Sequence, residues 1–151
     1  MQAIKTLVTL LPLSLVLAGC AEQRLRQQAD ADDRLDTALA HVGPEVAMFR
    51  LQSDNASWEA LGNQHLLVRD GDGHTWLLHT GVCPGLPNER YLTLTSSRDQ
   101  FTYVGQDRVK RMSGSCDLLE ARPVAGIDVQ GVPGRLNMLT RPKQEDLAGS
   151  F

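Results

Sequence analysis

The sequence predicts a mostly β fold, a small curled sheet or open barrel of five to seven short antiparallel strands, with helix confined to the amino-terminal end. Three observations predict it. From Glu45 onward, apolar and polar residues alternate over short runs, the period of a half-buried strand. Turn chemistry separates these runs at regular intervals, and Asp70-Gly71-Asp72-Gly73 is the strongest hairpin signal among them. The length, 151 residues, suits one domain once the leader described next is set aside.

The chain opens on Met1-Gln2-Ala3-Ile4-Lys5, followed by an apolar stretch from Thr6 to Leu17. A transmembrane helix needs about 20 apolar residues. This stretch is shorter, and its length and flanks read as a secretory signal, the signal helix of the predicted fold. Leu17-Ala18-Gly19-Cys20 resembles the bacterial lipobox. The resemblance implies that residues 1–19 are removed and that Cys20 becomes the lipid-modified amino terminus. Small residues at 18 and 19 let a protease approach the backbone, and the Cys20 thiol is the nucleophile that takes the lipid. Two or three acyl chains give stable anchoring where one gives marginal binding. Ala21, by resemblance to bacterial lipoproteins, implies export to the periplasmic face of the outer membrane.

Beyond the leader the chain is slightly acidic, in keeping with the net charge of −3 for the whole sequence, and nucleic acid is not an expected partner. The membrane is expected as a partner through the lipid alone. With Cys20 committed to lipid, Cys83 and Cys116 remain as an even pair in an oxidising compartment. They are expected to form a structural disulfide, which by chain entropy contributes roughly 4 kcal/mol for a loop of that length, less any strain. A redox or metal-binding pair is the alternative. Against it, there is no Cys-x-x-Cys, and Pro84-Gly85 after Cys83 reads as a structural loop.

Residues 20–43 read as a tether with a short helix. The part before Asp30 is expected to be flexible. Asp32 to Ala40 reads as the helix, with acidic residues at its start and Leu35, Ala38, Leu39 and Val42 on one narrow face. Gly43-Pro44 stops it. The β domain is expected over 44–132. Its strands are read at 46–51, 65–69, 75–79, 91–95, 101–104, 109–112 and 116–121, with Trp58 to Gly62 as a turn or short segment. Residues 133–151 read as a polar, mobile tail.

The strand region resembles an uncharacterised family of short envelope lipoproteins from Gram-negative bacteria. The resemblance rests on Phe49-Arg50, Trp58 with Leu61-Gly62, Leu66-Leu67-Val68, Trp76-Leu77-Leu78, Cys83 with Leu86, Leu92 to Ser97, Asp107-Arg108-Val109, Cys116, and Glu120 to Val124. It covers residues 45 to about 128, and Ala125-Gly126 stands where an acidic residue is expected. That family has no assigned activity, so the resemblance implies location and fold, not mechanism.

Several patterns invite sharper readings. Asp70 to His74 suggests calcium, but the later ligands of a calcium loop are missing, and a hairpin turn accounts for it better. His65, His74 and His79 can gather across that hairpin, yet no pair of them has zinc-ligand spacing. Ser113-Gly114-Ser115-Cys116 is not Gly-x-Ser-x-Gly and reads as a tight turn. Asp107-Arg108 and Glu120-x-Arg122 read as salt bridges or a binding rim. Trp58 and Trp76 read as packing residues, with a ligand platform as the alternative. Asn55-Ala56-Ser57 matches a glycosylation sequon that bacterial export makes irrelevant.

The sequence therefore leads to a non-catalytic envelope module without cofactor or metal, whose partner is an envelope protein or cell-wall component. A carrier or sensor of a small apolar ligand held inside the β domain is the second reading, and an envelope enzyme the third.

Overall fold

The computed structural model describes residues 11–51, 56–96, 100–130 and 136–140, with residues 11–19 and 136–140 described by backbone alone. It is predominantly β, with one major helix, α1 (Leu11–Leu39), packed on a curled, open half-barrel. The strands are β1 (Met48–Arg50), β2 (Ser57–Leu61), β3 (His65–Arg69), β4 (Thr75–Thr80), β5 (Leu92–Ser96), β6 (Phe101–Tyr103), β7 (Arg108–Arg111), β8 (Gly114–Val124) and β9 (Leu136–Thr140). A 3-10 turn covers Leu86–Asn88.

The half-barrel runs β2-β3-β4-β8-β7-β5, antiparallel throughout, and β9 adds a seventh strand parallel to β5. The parallel strand departs from the all-antiparallel expectation and falls within residues 133–151, where the sequence predicts a polar tail. Its backbone gains a full ladder from Leu92↔Leu136 to Ser96↔Thr140. The Trp58 to Gly62 segment is a strand rather than a turn. Ser57–Leu61 pairs residue for residue with β3, and Trp58 turns inward while Glu59 turns outward.

Strand alternation gives the sheet two faces. The concave face carries Trp58, Leu66, Val68, Leu78, Leu94, Val109 and Leu118 in the main core, and β1 pairs with β6 so that Phe49 joins them. A bulge shifts the register of β8 between His79 and Thr80. It lets Leu118 and Ala121 both point inward despite their odd spacing and turns Leu119 out. The convex face carries a smaller core of Leu61, Leu67, Leu77 and Val124, which Leu35 and Ala38 of α1 cover.

The helix is longer than the short one expected over residues 32–40 and takes in residues 20–29, expected as a flexible stretch. The segment is built of good helix formers such as Ala, Glu, Gln and Arg, and Glu22 pairs with Arg26 one turn on. No helix among the described residues is long and apolar enough to cross a membrane. Beyond α1 the chain runs against β8. Gly43 N–H donates to the Pro123 carbonyl at 2.8 Å, and a Cβ on Gly43 would lie 2.9 Å from Pro123 Cγ. Glycine is required there for close approach; the helix itself ends at Leu39, before the expected Gly43-Pro44 stop. Residues 1–10, Asn55 of the sequon, and residues 141–151 of the polar tail lie outside the described residues.

Candidate functional site

The site is built on the convex face, where α1 leaves the sheet. Leu35 and Ala38 seat one end of the helix on the smaller core. Arg34 fastens it with paired hydrogen bonds to Glu59 on β2, and also donates to the Asp128 carbonyl at 2.8 Å. Toward the amino terminus the same helix face continues as Arg24, Gln28 and Ala31, polar or small residues that make no core contact. A groove of about 780 Å³ opens between this stretch and the β2–β3 turn.

The opposite wall is the turn Gly62-Asn63-Gln64 with His65 at the start of β3. Gly62 takes φ of 76°, which L side chains rarely adopt, and a Cβ there would meet nothing within 4 Å. The turn is pinned from behind. The Gln64 carbonyl accepts from Thr80 N–H at 2.8 Å, the Asn63 carbonyl from Cys83 N–H at 2.9 Å, and Asn63 Oδ1 from Gly85 N–H at 3.1 Å. The loop that does the pinning is itself held by the Cys83–Cys116 disulfide, with Cα atoms 5.8 Å apart and both residues buried. The expected bridge is therefore present, and it links β8 to the back of the groove wall.

His65 leads into a polar row across the sheet. The hairpin register sets His65 opposite His79 and His79 opposite Glu120. The two imidazoles stack with centroids 4.7 Å apart and planes 15° apart. His79 Nδ1 lies 4.0 Å from Glu120 Oε2, and Arg122 pairs with Glu120. Burial lowers the basicity of His65, the neighbouring His79 lowers it further, and Glu120 opposes both.

The remaining sequence candidates fall elsewhere. His74 stays exposed at the hairpin tip, 3.3 Å from Asp70. Asp70 is buried, and its Oδ1 accepts from Asp72 N–H and His74 N–H, the hydrogen bonds of a side-chain-closed turn. Among the described residues no group of three or more His, Cys, Asp or Glu is placed to hold a metal ion. Ser113 lies in the β7–β8 turn and donates to Glu89 at 2.9 Å. Asp107 is buried and is no binding rim. It accepts from Thr95 Oγ1 and from Tyr103 N–H, both at 2.7 Å, tying β5 to the turn after β6. Arg108 pairs across the ladder with Asp117 on the surface. Trp58 and Trp76 lie in one row of the concave face, where Trp76 meets the Phe49 ring at 5.0 Å, a packing role. Cys20 is an exposed free thiol on α1. Sequence reasoning missed the groove itself, because nothing local marks where the helix parts from the sheet.

Residues 3–132 match the model of a family described as a family of unknown function, DUF6491. No curated protein and no solved structure matches the chain.

Proposed function

The chain belongs to the family of unknown function DUF6491, and we propose on that premise that it is a lipid-anchored module of the Gram-negative cell envelope. In this reading Cys20 holds it at the periplasmic face of the outer membrane. The groove beside α1 binds a cell-wall component or an envelope protein, and the protein catalyses no reaction of its own.

The observation that carries the reading is the placement of Cys20 and the groove on one helix. Cys20 is exposed on α1, and the groove lining begins one turn later at Arg24. A lipid on Cys20 would set the binding surface close to the bilayer on a helical stalk rather than on a loose tether. The lipobox resemblance of Leu17 to Cys20 supports this. The concave face is occupied by Leu66, Leu78, Leu94 and Leu118, each essentially fully buried, which favours binding outside the sheet over an apolar ligand held within it.

Mass spectrometry of the protein purified from membranes tests the anchor. The expected amino terminus is Cys20 bearing a thioether-linked diacylglycerol and an amide-linked acyl chain. An intact Met1 terminus with a free thiol at Cys20 would refute it.

A further inference from the structure

We propose that the groove between α1 and the β2–β3 turn binds an uncharged, extended chain bearing secondary amides, as found in the acetylated amino sugars and the peptides of a bacterial cell wall. The proposal rests on the envelope reading above and gives its binding surface a ligand class.

The chemistry of the walls carries it. Gln27 and Gln28 line the groove from α1, Asn63 and Gln64 from the turn, and Asn88 from the end of the 3-10 turn. A carboxamide offers N–H donors and a carbonyl acceptor together. A secondary amide needs the same pair in return, one acceptor for its N–H and one donor for its carbonyl. Asn63 has its Oδ1 engaged by Gly85 N–H, which leaves its amide NH2 as a donor. The formal charges of the lining, Arg24 and Asp32, are opposite and stand on the same helix, so the walls favour neither a phosphate nor a cation.

Size and rigidity agree with an extended ligand. The volume, about 780 Å³, lies within the range of roughly 300–1,000 Å³ for ligand clefts. The helical wall from Arg24 to Leu35 runs about 17 Å. Both walls are fixed independently of any ligand, the helix by Arg34 and Glu59 and the turn by its hydrogen bonds to the disulfide-held loop. A preformed frame lowers the ordering cost of binding.

The full chain, purified in detergent micelles, is titrated with triacetylchitotriose, with a capped alanine tetrapeptide, and with cellotriose, which keeps sugar hydroxyls but has no amide. Side-chain amide resonances report binding. At least one amide probe is expected to saturate, with cellotriose about tenfold weaker or worse. Saturation by the chitotriose alone assigns the sugar strand, by the peptide alone the wall peptide, and either supports the proposal. Gln28→Ala and Asn88→Ala change exposed residues on opposite walls and leave the core intact. Each is expected to weaken binding about fivefold, the effect of one neutral hydrogen bond. Failure of both amide probes to saturate, equal binding of cellotriose, or unchanged affinity in both variants would overturn it. The titration does not depend on the membrane. Success in a chain shown to lack lipid would keep the groove chemistry and remove the envelope reading.

Discussion

Arg34 on α1 grips Glu59 on β2 through two parallel hydrogen bonds, Nε to Oε1 at 3.2 Å and Nη2 to Oε2 at 2.8 Å. Both side chains are largely shielded, and Glu59 Oε2 also accepts from Gln130 N–H at 3.0 Å. One carboxylate thus joins the helix, the sheet and the segment after β8. Charge-assisted, bidentate pairs of this kind outweigh ordinary surface pairs. Arg34→Ala is expected to lower unfolding free energy by about 1–2 kcal/mol in urea titrations, because it strands Glu59. A change indistinguishable from zero would show that the helix is held by Leu35 and Ala38 alone.

The disulfide is expected to matter twice. Reduction, or Cys83→Ser with Cys116→Ser, should cost up to about 4 kcal/mol, seen as a lowered denaturation midpoint. It should also loosen Asn63 and Gln64, because Cys83 N–H holds the Asn63 carbonyl. Amide hydrogen exchange at Cys83 and Thr80 should accelerate on reduction by more than exchange in β5. Uniform acceleration across both would mean that the bridge acts only on global stability.

The bulge in β8 predicts opposite outcomes for neighbouring leucines. Leu118 is fully buried on the concave face, and Leu119 is about half exposed (49%). Leu118→Ala should cost about 2–5 kcal/mol, whereas Leu119→Ala should stay within about 0.5 kcal/mol. Comparable losses at both positions would contradict the register.

His65 makes stability fall with acid. Burial, and then His79, hold its imidazole below the ordinary value of 6.5. The unfolded chain therefore takes the proton more readily, and the folded state loses stability as pH falls through that value. Between about pH 7.5 and about pH 5.5, the drop in Tm should be smaller in His65→Gln than in the unaltered chain. Equal drops would remove His65 as the source.

The fold was legible where local chemistry decides it. Asp70 to Gly73 announced the β3–β4 hairpin, and its centre puts His65 opposite His79, one pair of the three histidines grouped from the sequence. Cys83 and Cys116 paired as their number and setting suggested. Long-range pairing was not legible. Leu136–Thr140 lies beside β5 in parallel, a partner some forty residues away that no turn signal specifies. The helix through residues 20–31 was hidden for another reason. Its residues favour helix one by one, but they form no apolar stripe, and periodicity is the stronger signal. The groove follows from both, since it exists only where that polar helix parts from a turn fixed by distant hydrogen bonds.

The central claim is that Cys20 attaches this protein to a membrane, and fractionation of Cys20→Ser tests it most directly. Cells expressing the unaltered chain or the variant are lysed, soluble protein is removed at high salt, and inner and outer membranes are separated by density. The account predicts that the unaltered chain sediments with outer membranes and that Cys20→Ser is absent from that fraction. A Cys20→Ser protein that still sediments with outer membranes as fully as the unaltered chain would contradict it.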